Sequence, residues 1–277
     1  MWNIKDKICL ITGATSGVGQ QTALALCRQG AKVVFTYRNE QKANETLALI
    51  ESKIGVKPEM YFCDFSSLDS IRKFSEKFKS QHTKLDVLIN NSGICEMERK
   101  ISTDGIEMNF AVNHLAPFLL TNLLLDIIMN NGSARVINVA SGAHKNAKIN
   151  FDDLEIKKSF SGFKAYGQSK LANILFTKSL AKSLENTNVS VYCLHPGFVS
   201  TGIFKNMGKF SIGLLRVFMI SPEKGAQTSV FLATSDSIDA PSGSYFYQKK
   251  VVNSSADSND NIIADKLWII SSKYVDL

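Results

Sequence analysis

Short unbroken apolar runs alternate along the chain with longer stretches in which apolar residues recur every three or four positions. The short runs are KICLIT (7–12), AKVVFTY (31–37), PEMYFC (58–63), LDVLIN (85–90), ARVINVA (134–140) and VSVYCLH (189–195). They do not switch between apolar and polar residues, so each predicts a strand covered on both faces, as in a parallel sheet between helix layers. Helical spacing covers residues 18–28, 40–54, 68–80, most of 105–129, and 163–184. Repeated strand–helix units predict a doubly wound α/β fold of about seven strands with helices on both faces. No linker or repeat divides the chain, so one domain over 1–277 is expected. The alternation breaks at about 198–222, and residues 253–261 read as a polar loop.

Chemistry enters where the first strand meets the first helix. ITGATSGVGQ places Gly13, Gly17 and Gly19 as G-x-x-x-G-x-G, with Thr15, Ser16 and Val18 between them. Glycines allow a tight turn and close approach of the backbone to a pyrophosphate, at a helix N-terminus that favours anions. A glycine triplet alone also describes a plain turn; its place between first strand and first helix points to a dinucleotide. The second strand ends at Tyr37-Arg38, where an acidic residue would accept hydrogen bonds from a free ribose 2′-hydroxyl. The Arg38 guanidinium suits a 2′-phosphate instead, which favours NADP(H) over NAD(H); the alternative is a solvated arginine. Asp64, followed by Phe65 past the third strand, suits either the adenine amino group or the cap of the next helix.

Y-x-x-x-K occurs twice, at Tyr166–Lys170 and Tyr245–Lys249. The first copy lies in a run of helix formers, where positions four apart share a face. The second lies in a strand-like aromatic run, where the same spacing stretches to about 13 Å. Only the first pair can act together. Ser141 follows the fifth strand, and Asn90, Asn91, Ser92 and Gly93 end the fourth, both at the carboxyl rim where doubly wound sheets bind ligands. Asn113 is a polar residue in an apolar helix, either a satisfied core amide or a working group. His82, His114, His144 and His195 have no Ser or Cys partner at triad spacing, which argues against hydrolysis. No His/Asp/Glu cluster has metal-ligand spacing, so no metal is expected.

Taken together and in order, T-G-x-x-x-G-x-G (12–19), N-N-x-G (90–93), Asn113, Ser141, Y-x-x-x-K (166–170) and Pro196-Gly197 resemble the short-chain dehydrogenase/reductase family over nearly the whole length. VNHLAPFLLTNLLL, ARVINVASGAH, YGQSKLANILFTKSLA and HPGFVSTGIF resemble its retinol dehydrogenase-like branch. The resemblance implies a Rossmann fold and NADP(H)-dependent hydride transfer between nicotinamide and a lipophilic aldehyde, ketone or alcohol. It assigns proton transfer to Tyr166, with Lys170 lowering its pKa and holding the nicotinamide ribose. Ser141 would bind the carbonyl oxygen, and Asn113 would place a water behind Lys170. Asn91, Ser92, Gly93, Pro196, Gly197, Val199 and Thr201 would touch the cofactor, and Phe204 the substrate. Two departures are small: Ser92 and Ala140 stand where the family has alanine and serine. The resemblance also implies a homodimer through residues 118–128 and the Tyr166 helix. Two alternatives stay open: a non-catalytic NADP(H)-binding regulator, against which the complete tetrad argues, and a C=C or tetrapyrrole reductase, a chemistry found among relatives sharing this tetrad.

Composition adjusts the partners. The net charge of +7 is spread along the chain without a basic run interleaved with aromatics, so nucleic acid is not expected. Cys9, Cys27, Cys63, Cys95 and Cys193 form no C-x-x-C, and read as reduced thiols in a reducing compartment. MWNIKDKICLITG enters the first strand without signal-peptide or anchor architecture, and no apolar stretch reaches the roughly 18 residues of a membrane span. A cytoplasmic enzyme is expected. Residues 198–222, rich in Phe, Leu, Ile and Met, read as a substrate lid, as ordinary core, or as a surface for a second subunit or peripheral membrane contact.

Overall fold

The apolar runs pack as strands because their alternate residues feed two different cores. In a computed structural model, which describes residues 2–130, 132–199 and 219–277, Leu10, Leu88 and Val136 lie in one buried cluster. Their strand neighbours Cys9, Ile11, Val87, Ile89 and Ile137 lie in the other. A strand with a core on each face favours apolar residues at successive positions, which explains the nearly unbroken runs.

The strands are β1 (Ile8–Ile11), β2 (Lys32–Tyr37), β3 (Glu59–Phe62), β4 (Val87–Asn90), β5 (Ala134–Val139), β6 (Val189–His195), β7 (Tyr245–Tyr247) and β8 (Lys250–Val251). The described residues form one sheet in the order β3-β2-β1-β4-β5-β6-β7-β8. β1 to β7 run parallel, and β8 pairs antiparallel with β7. The chain builds outward from β1 to β3, then returns to the far side of β1 with β4. That reversal opens a crevice at the carboxyl ends of β1 and β4.

The helices are α1 (Gly17–Arg28), α2 (Glu40–Ile54), α3 (Leu68–Gln81), α4 (Met108–Phe110), α5 (Ala116–Leu123), α6 (Leu125–Met129), α7 (Gly162–Ser183), α8 (Pro222–Thr234) and α9 (Asn261–Tyr274). Local chemistry starts several of them. Asn39, Ser67, Ser221 and Asp260 accept backbone N–H groups at the heads of α2, α3, α8 and α9, and Pro222 opens α8. The single helix expected over 105–129 is instead three pieces, with a π-helical turn at Ala111–Leu115. Pro117 accounts for part of this: it has no N–H for the carbonyl of Asn113.

A buried polar ladder ties sheet to helices. Asn90 Nδ2 donates to Thr121 Oγ1 (2.9 Å) and Asn138 Oδ1 (2.8 Å), and Asn138 Nδ2 donates to Thr177 Oγ1 (2.9 Å). α9, not foreseen as a helix, packs on the face of α5 and α7 where a second subunit was expected. There Trp268 meets Phe118 and Phe176, ring centroids 5.0 and 5.8 Å away. All five cysteines are free and buried. Among the described residues no helix is long and apolar enough to cross a membrane. Of the expected lid, residues 200–218 lie outside the described residues, and with them Thr201 and Phe204. Its flanks meet: Ile220 N–H donates to the Phe198 carbonyl at 2.8 Å.

Candidate active site

One cleft of about 490 Å³ lies along the carboxyl rim, and every cofactor candidate within the described residues, from Gly13 to Val199, lines it. Its floor is the glycine turn. Gly13 and Gly17 sit at φ 67° and 56°, in the left-handed region that favours glycine. A Cβ on Gly19 would stand 2.4 Å from the Gly13 carbonyl oxygen, so any side chain there would break the turn. Asn91 clamps the turn from β4: its Nδ2 donates to the carbonyls of Thr12 (2.8 Å) and Gly13 (3.2 Å). Thr12 Oγ1 in return accepts the N–H groups of Asn91 and Ser92, each at 2.9 Å. Ser16 is the N-cap of α1, yet its side chain makes no cap bond. The first N–H groups of α1 therefore have no side-chain acceptor from their cap, and with the helix dipole they suit a phosphate group.

Arg38 is 69% exposed at the end of β2, with Nη1 4.0 Å from Asp64 Oδ1. An exposed pair at that length holds the guanidinium weakly. Lys42, on the first turn of α2, lines the same end of the cleft. Asp64 does not cap α3. It accepts the N–H and O–H of Ser66 at 2.9 and 2.8 Å, while Ser67 takes the cap by accepting Ser70 N–H at 3.2 Å.

At the other end α7 presents Tyr166 and Lys170, both buried. Ser141 begins the 3₁₀ turn after β5, accepts Ala143 N–H at 3.2 Å, and hydrogen-bonds the Tyr166 phenol. Lys170 Nζ donates to the Val139 carbonyl at 3.0 Å and stands 5.7 Å from the Tyr166 ring centroid. Asn113 lies behind this wall rather than on it. Its Oδ1 accepts Ile94 N–H (2.8 Å), and its Nδ2 donates to the Ile94 carbonyl and to Ser169 Oγ (both 2.9 Å). Ser169 Oγ donates to the Tyr166 carbonyl at 2.8 Å. Gly93 threads between them: a Cβ there would meet Lys170 Nζ at 3.2 Å and Asn113 Oδ1 at 3.3 Å. Asn113 is thus both a satisfied core amide and the clamp between the N-N-x-G segment and α7.

Burial dominates the electrostatics. It pushes Tyr166 up to about 12, against the Ser141 hydrogen bond, which favours the phenolate. It pushes Lys170 down to about 8. Ser141 is the group whose hydrogen bond favours the phenolate, and Lys170 Nζ stands beside the same ring. The second Y-x-x-x-K is inert: Tyr245 is buried in β7, and Lys249 is exposed at φ 64° in the turn to β8.

Sequence reasoning missed Lys42, Cys95 and His195 as cleft residues. Lys42 follows Arg38 by four positions, which was a readable signal. His195 accepts Gly197 N–H on Nδ1 (3.3 Å) and stacks on Tyr247, a contact no spacing reveals.

Residues 7–211, which hold the glycine turn, both asparagines and the Ser141–Tyr166–Lys170 group, match the family model described as short chain dehydrogenase. The chain belongs to the short chain dehydrogenase family. Within it the chain lies in the retinol dehydrogenase-like branch. Retinol dehydrogenase 14 of Homo sapiens is 39% identical, covering 98% of this chain and 87% of that protein. Polyprenol dehydrogenase of Homo sapiens is 36% identical, covering 95% and 83%. A crystal structure of a protein from Mycobacterium Paratuberculosis superposes with a TM-score of 0.81 at 30% identity, covering 99% of this chain and 95% of that one. A Shigella flexneri short chain dehydrogenase complexed with NADP shares the fold, with a TM-score of 0.70 at 20% identity over 89% and 98% of the two chains. This short chain dehydrogenase is therefore an oxidoreductase acting on CH–OH or C=O groups with a nicotinamide cofactor.

Proposed function

We propose that this dehydrogenase transfers hydride between NADP(H) and the carbonyl or alcohol carbon of a small lipophilic substrate, with Tyr166 as proton donor. The observation that carries the reading is the buried Ser141–Tyr166 hydrogen bond, beside Lys170, in a cleft whose other end holds Arg38 and Lys42. A bound nicotinamide supplies the hydride. The glycine turn and the head of α1 would hold its pyrophosphate, and Arg38 and Lys42 its 2′-phosphate. The NADP in the Shigella flexneri relative supports that choice.

At neutral pH a phenol at about 12 is protonated, so Tyr166 stands ready as an acid towards the alkoxide formed in reduction. Ser141 Oγ, bonded to that phenol, directs a carbonyl oxygen to the same point and stabilises its developing charge. In the oxidative direction Tyr166 must first lose its proton, a cost that the Ser141 bond offsets in part. Lys170 at about 8 is mostly charged at pH 7 and would hold the ribose hydroxyls while bonded to Val139. Asn113 holds the segment in front of Lys170. Its carbonyl, deprived of an i+4 donor by Pro117, keeps acceptor capacity for a water. The printed names of the relatives, retinol and polyprenol dehydrogenase, support a lipophilic alcohol or aldehyde.

NADPH consumption with a panel of aldehydes of rising chain length, retinal among them, tests the reading. Turnover should favour the lipophilic members. Tyr166→Phe should abolish it while leaving NADPH affinity within about threefold, because the lost hydroxyl serves the transition state. Tight NADPH binding without turnover would instead identify a regulator, and saturation of a C=C bond a different reductase. Normal turnover by the Phe variant would remove Tyr166 from the mechanism.

A further inference from the structure

The turn that carries Asn113 meets the C-terminal helix through one buried polar contact. His114 follows Asn113 in the π-helical turn, and its Nε2 lies 2.8 Å from Ser271 Oγ on α9. The two residues are 157 positions apart and both are buried. The imidazole packs among Phe110, Phe118 and Phe176, with centroids 5.3, 6.1 and 6.4 Å away. Such a Ser–His pair, walled off from the cleft, is not a nucleophile and its base.

Burial keeps this histidine neutral, so it offers one donor and one acceptor. Its Nδ1 has no hydrogen-bond partner, and neither has the buried Oδ1 of Asn173, three residues beyond Lys170 on α7. Asn173 is nonetheless the group that acts on the ring to favour its charge. With its proton on Nδ1 the ring accepts the Ser271 O–H on Nε2, and with its proton on Nε2 it donates to Ser271 Oγ; either way the pair is hydrogen-bonded. A polar pair in an aromatic setting is sensitive to register: sliding α9 by one residue turns Ser271 away by about 100°. A π-helical turn also carries an extra residue that relaxation to α-helix would remove, rotating Asn113 off Ile94 and Ser169.

We propose that His114 and Ser271 are positioning residues for Asn113, so that the C-terminal helix belongs to the catalytic frame. The path runs Ser271–His114–Asn113–Ser169–Tyr166, each step a hydrogen bond or a peptide neighbour. It rests on the reading of Tyr166 and Asn113 given above. The bond pins the π-turn, the π-turn sets Asn113, and Asn113 holds both the segment before Lys170 and the backbone of Tyr166.

The test combines kinetics with hydrogen–deuterium exchange of Ile94, whose N–H is held by Asn113 Oδ1. In full-length enzyme, Ser271→Ala should lower kcat about tenfold with the KM for NADPH within twofold, the scale of one lost hydrogen bond. Ser271→Thr, which keeps the hydroxyl, should restore kcat. In an Asn113→Ala background Ser271→Ala should cost nothing more, and Ile94 exchange should quicken about tenfold in Ser271→Ala alone. Should that variant not fold, Ser271→Cys, with its weak S–H donor, carries the same readouts. Wild-type kcat together with wild-type Ile94 exchange would overturn the proposal, as would a loss that adds in full to that of Asn113→Ala. The exchange measurement stands even if no aldehyde is turned over, so a failed substrate assignment is distinguishable from a failed positioning role.

Discussion

Lys170→Met separates what the buried lysine does for catalysis from what it costs the fold. Its side chain is almost fully buried, with the Val139 carbonyl 3.0 Å from Nζ. Burial takes the pKa from 10.5 to about 8, a drop equivalent to about 3 kcal/mol. Between those two values the unfolded chain carries a proton on this lysine and the folded chain does not. The Lys170 contribution to wild-type stability therefore rises as pH climbs through the window, and its whole penalty is present below it. Methionine has similar length and no charge, but leaves the Val139 carbonyl without its donor, at about 1–2 kcal/mol. The net expectation is a variant more stable than wild type by about 1–2 kcal/mol at pH 7, and less stable by about 1–2 kcal/mol near the top of the window. Cys95 at about 11 and Tyr166 at about 12 titrate above it, and surface lysines cancel between the two proteins. Urea unfolding of both proteins across this range measures the difference directly. A difference that stays flat with pH would refute the shifted lysine. Turnover should vanish in the same variant, so that stability and activity move in opposite directions.

Other substitutions probe the cofactor end. Arg38→Asp should move the NADPH-to-NADH ratio of kcat/KM towards NADH by about tenfold or more, since a carboxylate repels the 2′-phosphate and accepts a free 2′-hydroxyl. An unmoved ratio would take the reading away from Arg38 and towards Lys42. Gly19→Ala forces a Cβ to within 2.4 Å of the Gly13 carbonyl, and should destabilise the free protein by about 1–3 kcal/mol while removing the Tm rise on adding NADPH. A variant that melts like wild type with and without NADPH would show that the turn has room the geometry denies.

Much of the sheet was legible because strands buried on both faces give short, mostly apolar runs bounded by turn residues: ICLI is wholly apolar, and in ARVINV only Arg135 and Asn138 interrupt the run. β8 was not, since two residues carry no pattern. α9 escaped because its apolar residues do not form one stripe; Leu267 is buried while Ile262 and Ile269 are exposed. The break in the 105–129 helix was signalled by Pro117, but a π-turn is set by tertiary partners as much as by local sequence. In the site, Tyr166, Lys170, Ser141 and Asn113 are marked by residue type and spacing. Their restraints are not. Lys170 is held by a backbone carbonyl, which has no side-chain identity, and His114 by a serine far along the chain. That burial dominates the Tyr166 pKa could not be read, because spacing reports proximity and not burial.

The short return strand β8 bears on how the molecule stays apart from its copies. The chain turns at Gln248 and Lys249, both at positive φ, and runs back for only Lys250 and Val251, both exposed. Two residues expose too few N–H and C=O groups to template a strand from another molecule, and the lysine adds repulsion between copies. Among the described residues the opposite border has no such return strand. β3 is a four-residue outer strand whose last side chain, Phe62, is 55% exposed. Resistance to edge-to-edge growth is therefore lopsided, and when concentrated or partly unfolded chains aggregate, the Phe62 border is where foreign strands would add.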